Sequence, residues 1–271
     1  MTEPLLASGL GALLLGDWHV HSVFSDDARS PMEANVRAAE ARGLVRMRAT
    51  DHVRVDTPWV PEFVAAVASA RRSTGVELFS GVEAKILDAR GTLDVPRDLR
   101  VGRGGVDGIV IADHQFPGVD GPWSPTSTRE RLAAGLSVGD ALDLLIGATV
   151  AAMHAAGGGA QLAHPFSILP KVGLDESQLS AEHLRAWAVG ARETGTSIEV
   201  NEKWACPSPR SIGVALAEGA TLVASTDSHH ADDVGVYSRV RELLAQVPAA
   251  TESQAPQTPQ ASSAPNAPQV G

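Results

Sequence analysis

One apolar, strand-like run after another in this chain ends in a residue able to hold a metal. The first closes on Asp17-Trp18-His19-Val20-His21, the second on Thr50-Asp51-His52, the third on Gly81-Val82-Glu83 and the fourth on Asp113-His114. Another closes on His164-Pro165 and the last on Asp227-Ser228-His229. Parallel strands of a closed barrel all finish on the same face, so residues far apart in sequence would converge there. The meeting point would be rich in imidazole and carboxylate, the donor set of a multinuclear metal centre. A chain built this way reads as a hydrolase.

The runs are Asp17–His21, Val45–Ala49, Val76–Val82, Gly108–Ala112, Gly159–Ala163, Thr196–Val200 and Ala220–Ser225. Helical patterns separate them, which is the signature of βαβ units. Ser30-Pro31 opens one helix, with Ser as cap and Pro pre-set for the first turn, and Gly43 stops it. Further helices are expected from Pro61 to near Gly75, over Val138–Ala156, Ser180–Glu193 and Ser211–Glu218, and over roughly Val234–Leu244. Gln115 to Gly139 breaks the rhythm with Pro, Gly and a Ser/Thr cluster, as either a substrate loop or a solvated excursion would.

With 271 residues, 44% of them hydrophobic, the chain can build one large barrel domain, here taken as 17–245. Residues 1–16 read as a segment packing on the barrel. Glu3 stands where a signal peptide would carry positive charge, and the apolar stretch is too short to span a membrane. Residues 246–271, built of Pro, Ala, Ser, Gln and Thr, cannot offset their ordering entropy and read as a disordered tail. A net charge of −10 argues against nucleic-acid binding, though bound cations would still let an acidic protein take a phosphate. The single cysteine, Cys206, excludes an intrachain disulfide and fits a reducing, cytoplasmic setting.

On a strand, residues i and i+2 point to one side, so His19 and His21 can share a metal, as can Asp227 and His229. Asp17 could fix an imidazole tautomer. Glu83 ends an otherwise apolar run and needs a partner or a cation. His52, His114 and His164 complete the series. Glu199 and Asn201 could support a ligand or touch substrate. His230 should point away from the site, and His154 and His183 fall within helices.

These pieces, with Ser25-Asp26, Ala163-His164-Pro165 and Thr226-Asp227-Ser228-His229, resemble the PHP superfamily, named for polymerase and histidinol phosphatase. The resemblance spans Asp17 to about Tyr237. It implies a distorted seven-stranded β/α barrel of PHP type, with two to three divalent metals at the C-terminal strand ends. It puts His19, His21, Glu83 and Asp227 on one metal and lets Glu83 bridge to a second held by His114 and His164. It gives the third to Asp26, His52 and His229. Asp26 is preferred over Asp27 because Ser25-Asp26 fits the commoner pattern.

Donors without thiolate suit zinc, manganese or iron(II) and hydrolysis by a metal-activated water. The resemblance points to a small-molecule phosphomonoester as substrate, with Asp26, His229 and Arg54 as the residues expected to act on it. Lys203 is an alternative to Arg54 for contacting phosphate. The rival readings are an amidohydrolase-type C–N hydrolase, for which Lys85 would be the lysine to examine, a nuclease, and a non-catalytic metal-binding domain.

Overall fold

The computed structural model describes residues 9–247. Seven parallel strands form one sheet in the order β1 (Gly16–Val20), β2 (Arg46–His52), β3 (Glu77–Lys85), β4 (Gly108–Ala112), β7 (Gln161–Leu162), β8 (Ser197–Asn201) and β9 (Leu222–Ser225). All seven expected runs are strands. The sheet's edges meet where the amide of His21 donates to the carbonyl of Ser228 at 2.8 Å and that of Ser228 to His19 at 3.3 Å. Buried Asp17 reinforces this seam, accepting from Thr226 N (2.9 Å), Thr226 Oγ1 (2.6 Å) and Gly235 N (2.8 Å). It touches no imidazole, so its part is to close the barrel rather than to fix a tautomer. Burial raises its carboxyl pKa to about 6.

Helices cover the outside of the sheet. Val138–Ala156 has the bounds its sequence implies, with Ser137 accepting from the amide of Asp140 at the start and Gly157 (φ 75°) at the end. It is long and apolar enough to cross a bilayer on composition alone. Yet it turns Leu142, Leu145, Ala148 and Ala152 into the core, while Asp140, Asp143 and His154 stay exposed. His183 lies in Ala181–Thr194 and closes a capping box with Ser180, its other nitrogen 2.7 Å from Asp143. Met32–Ala41 starts one residue later than Ser30-Pro31 suggested. Pro31 occupies the cap position with no side-chain bond, and the Ser30 hydroxyl instead accepts from the amide of Ala231.

The last helix is shorter than its pattern, Arg239–Ala245, because residues 231–235 form a turn and Gly235 and Tyr237 are tied to Asp17 and Gly16 at the seam. Its start is held by Glu202, which accepts from Ser238 N (3.0 Å), Arg239 N (2.9 Å), Val240 N (2.9 Å) and Ser238 Oγ (2.7 Å). Burial pushes the Glu202 pKa up, but these bonds outweigh it and the net shift is downward. A depressed carboxyl pKa stabilises above the unfolded value and loses that stabilisation as pH falls through the folded value. Glu202→Ala should therefore lower the unfolding free energy by about 1–2 kcal/mol at neutral pH, as loss of a helix cap does. In urea titrations the deficit should shrink as pH falls through and below the ordinary glutamate range, where the wild-type carboxylate takes up its proton. A deficit unchanged at low pH would refute this account.

The segment 115–139, expected to be irregular, carries secondary structure; Gln115 lines the cleft and much of the rest is exposed. β5 (Phe116–Gly118) and β6 (Gly121–Trp123) form a hairpin, followed by the helix Pro125–Ala133. Phe116 and Trp123 are buried and stacked at 5.9 Å, which fastens the hairpin to the core. Ahead of β1 a 3-10 turn, Leu10–Leu15, buries Leu14. Residues 1–8, and the tail expected over 246–271 from residue 248 onward, lie outside the described residues.

Candidate metal centre

The strand ends converge as their spacing demands. His19 and His21 project from the end of β1 with their Nε2 atoms 3.0 Å apart. Glu83, from β3, reaches the middle of the cluster. Its Oε2 lies 3.4 Å from both His19 Nε2 and His21 Nε2, and 2.8 Å from His52 Nδ1. Its Oε1 lies 3.0 Å from His114 Nε2 and 3.1 Å from His164 Nε2. One carboxylate thus faces five imidazoles drawn from β1, β2 and the segments after β4 and β7. Asp227 approaches from beyond β9, 3.3 Å from His21 Nε2 and 3.6 Å from His229 Nδ1. Both His164 (φ 26°) and Asp227 (φ 52°) hold a backbone conformation that costs a non-glycine residue energy, as side chains aimed into a functional site often do.

The donor atoms form three overlapping groups: His19, His21 and Asp227; His52, Glu83 and His114; and His21, His52 and His229. The residues fit resident cations. Glu83 Oε2 is buried and accepts no hydrogen bond, although three ring nitrogens crowd it. Nitrogen and oxygen lone pairs that face one another without hydrogens between them call for positive charge. The titration of the bare residues says the same. Burial alone would raise Glu83, but the charges of His114 and His19 hold it well below the carboxylate range. His164 rises against its burial to about 10 through Asp113 and Glu83, while burial drives His21 down to about 3. The imidazoles are left to supply the charge that a cation would otherwise bring.

The sequence profile of the PHP domain matches residues 17–177, more than half of the chain. The chain belongs to the PHP domain family. It is similar to a probable phosphatase of Serratia proteamaculans, 24% identical over 234 residues and 85% of each chain. It is also similar to one of Acetivibrio thermocellus, 27% identical over 241 residues, covering 85% of this chain and 86% of that protein. Among solved structures it resembles histidinol phosphate phosphatase from Lactococcus lactis, complexed with zinc, L-histidinol and phosphate. That match has a TM-score of 0.55 at 15% identity and covers 86% of this chain and 93% of the other, which establishes a shared fold.

Within this PHP domain the expected ligand positions assemble, with one exchange. The carboxylate that meets His229 Nε2 (3.2 Å) and His52 Nε2 (3.4 Å) belongs to Asp27, and His52, His229 and His21 draw its pKa down against burial. Asp26 lies on the rim of the cleft and, among the described residues, pairs with none of these imidazoles. The cause is local. Ser22 and Ser25 both donate, through backbone and side chain, to the buried carboxylate of Asp51, at 2.7–3.1 Å. The chain is pinned there, and Arg29 N then docks on His229 O at 2.9 Å, so the next inward position falls on Asp27.

Four supporting side chains surround the PHP centre; the sequence reading names Glu199 among them but gives no such role to Asp113, Ser167 or Trp204. Glu199 is fully buried in the middle of β8 and accepts from His19 Nδ1 at 2.8 Å, which fixes the tautomer that leaves Nε2 free. Asp113 and Ser167 do the same for His164, with Ser167 Oγ 3.0 Å from its Nδ1. Trp204 Nε1 donates to Asp227 Oδ2 at 2.9 Å. A charged residue within or directly after an apolar strand was the available signal for Glu199 and Asp113; nothing in the sequence marks Trp204.

A cavity of about 410 Å³ opens over the centre. Lys203 stands on its rim with Nζ 3.4 Å from Asp227 Oδ2 and 3.3 Å from His229 Nδ1. Arg54 lines the same cavity, and its guanidinium has no acidic partner among the described residues. Lys85 pairs with Asp94 at 3.3 Å and leaves the bridging place to Glu83. His230 turns outward to Asp232, as its position next to His229 required. Cys206 is buried and its thiol pKa is raised well above normal by burial, which suits packing and not nucleophilic attack.

Proposed function

We propose that this PHP domain is a metal-dependent phosphatase that hydrolyses a small-molecule phosphomonoester at a centre of two or three divalent ions. The observation that carries the reading is Glu83, a buried carboxylate facing five imidazoles at 2.8–3.4 Å with one oxygen left without a hydrogen bond. His19, His21 and Asp227 would hold one ion, Glu83 and His114 with His164 a second, and His52, His229 and Asp27 a third. Bound zinc, manganese or iron(II) would supply Lewis acidity and an activated water. Lys203 and Arg54 both line the cavity and would engage phosphoryl oxygens. Glu199, Asp113 and Ser167 hold His19 and His164 in the tautomers that keep Nε2 available.

The probable-phosphatase relatives and the phosphate-bound histidinol phosphate phosphatase support this reading, as does a cavity sized for a small ester. The amidohydrolase reading loses its lysine, since Lys85 is engaged with Asp94. Protein purified without chelator should contain two or three metal ions per chain by elemental analysis and hydrolyse p-nitrophenyl phosphate faster than bis(p-nitrophenyl) phosphate. Chelation should abolish turnover and added manganese or zinc restore it. His19→Ala should lower both metal content and kcat/KM, the latter about a thousandfold. A metal-free protein that keeps its activity, or a metal-loaded one that cleaves only the diester, would overturn the proposal.

A further inference from the structure

A second cavity, about 310 Å³, opens directly off the metal cleft and shares Asp26, His52 and Arg54 with it. Its far wall is aromatic. Phe24 and Trp59 lie 5.3 Å apart, and each packs on the fully buried ring of Phe63, at 5.5 and 5.8 Å. Phe63 is spent on the core, whereas Phe24 and Trp59 remain half-buried and turn part of their ring surface to the cavity. The walls are preformed. Arg54 N donates to Thr57 Oγ1 at 2.8 Å, Thr57 N to Arg54 O at 3.1 Å, and Val55 N to Asp94 Oδ1 at 2.8 Å, which fixes the loop between β2 and the helix Val60–Ala70. On the other side Ser25 is tied to Asp51. The annex therefore begins at an imidazole of the metal centre and ends in two rigid, incompletely covered rings.

We propose that this annex is the leaving-group subsite, and that it selects phosphomonoesters whose alcohol carries a flat aromatic ring. The inference rests on the phosphatase reading for the identity of the reacting group, but the annex's preference stands on its own geometry. With the phosphoryl group at the metal cleft, the ester oxygen would face His52 and the alcohol could extend past Arg54 into the annex. A ring there would cover the exposed edges of Phe24 and Trp59 and lie within reach of the Arg54 guanidinium, the contacts that favour aromatic over aliphatic groups. Reaction is a transfer of the phosphoryl group to water. The bond from phosphorus to the ester oxygen breaks, one from phosphorus to the water oxygen forms, and the alcohol leaves with a proton.

The test compares phenethyl phosphate with butyl phosphate, whose alcohols have near-equal acidity, so that leaving-group chemistry is matched. The metal-loaded wild type should favour the phenethyl ester by at least about tenfold in kcat/KM, the value of burying one small apolar group. That ratio should fall toward one in Trp59→Ala and in Trp59→Leu, the second of which keeps apolar bulk against Phe63. A ratio near one in the wild type, or one retained in both variants, overturns the proposal. If no ester is cleaved, the phosphatase reading fails separately, and calorimetry with phenylphosphonate and methylphosphonate decides the annex. Tighter binding of the phenyl compound, lost in Trp59→Leu, supports it; equal affinities overturn it.

Discussion

Glu83→Gln is expected to cut kcat for a phosphomonoester by about a thousandfold or more, in line with the loss of a group that organises charge in a metal site. The substitution keeps the shape of the side chain and removes its charge. In the wild type both oxygens are committed, Oε2 to His19, His21 and His52 and Oε1 to His114 and His164. An amide can offer one oxygen to this ring of nitrogens but must turn an NH2 group toward the rest. Two ions should no longer share the site, so elemental analysis should find fewer ions per chain. Added manganese or zinc should also raise the unfolding temperature much less than it does in the wild type, since stabilisation by a ligand follows its affinity. A Glu83→Gln enzyme with full metal content and wild-type kcat would remove the basis for a bridged centre.

The second large effect is expected at Glu199, which is fully buried. Its Oε1 accepts from His19 Nδ1 (2.8 Å) and Gln161 Nε2 (2.5 Å), and its Oε2 from His164 N (3.0 Å), Asn201 Nδ2 (2.9 Å) and Ser225 Oγ (2.8 Å). Four strand regions are joined through one buried carboxylate. Glu199→Ala strands these donors without water and should cost about 3–5 kcal/mol, the range for removing one partner of a buried ion pair. Denaturant unfolding in chelator isolates this structural part. Metal affinity should fall a further ~10–100-fold, because His19 loses the bond that sets its tautomer. Glu199→Gln should recover stability better than metal affinity, since an amide still accepts from the interior but cannot stabilise the imidazole as a carboxylate does. A loss below about 1 kcal/mol for Glu199→Ala would mean that the network is slack.

Much of this was legible because a strand's two-residue period and a barrel's common face are strong constraints. His19 with His21, and His52, Glu83, His114, His164, Asp227 and His229 each ended a run, and each joins the cluster at or beneath the cleft. The misreadings fall where adjacent residues compete or a contact comes from far away. Asp26 and Asp27 differ by one position, and the choice is made by the Ser22–Ser25 turn clamped on Asp51 and by Arg29 on His229. Asp17 stands two residues before His19, at the right interval to orient a ligand, yet its partners Thr226 and Gly235 lie more than 200 positions away. The segment 115–139 looked irregular because its order comes from one stacked pair, Phe116 and Trp123, and not from periodicity. Arg48, in a run read as apolar, is buried and bonds to Gln161, showing that the interior beneath the site is polar.

The seam between β9 and β1 gives metal loading a mechanical side. Those two strands are the first and last of the barrel, and only a short stretch of backbone pairing joins them, around Val20 and Ser228. His19 and His21 stand on one lip of that joint, Asp227 and His229 on the other. An ion gripped from both lips would act as a buckle on a hoop, holding the two ends of the chain's longest circuit together. Cations bound there would tighten a ring that backbone bonds and Asp17 already close, and a molecule starved of metal would be weakest where β1 meets β9.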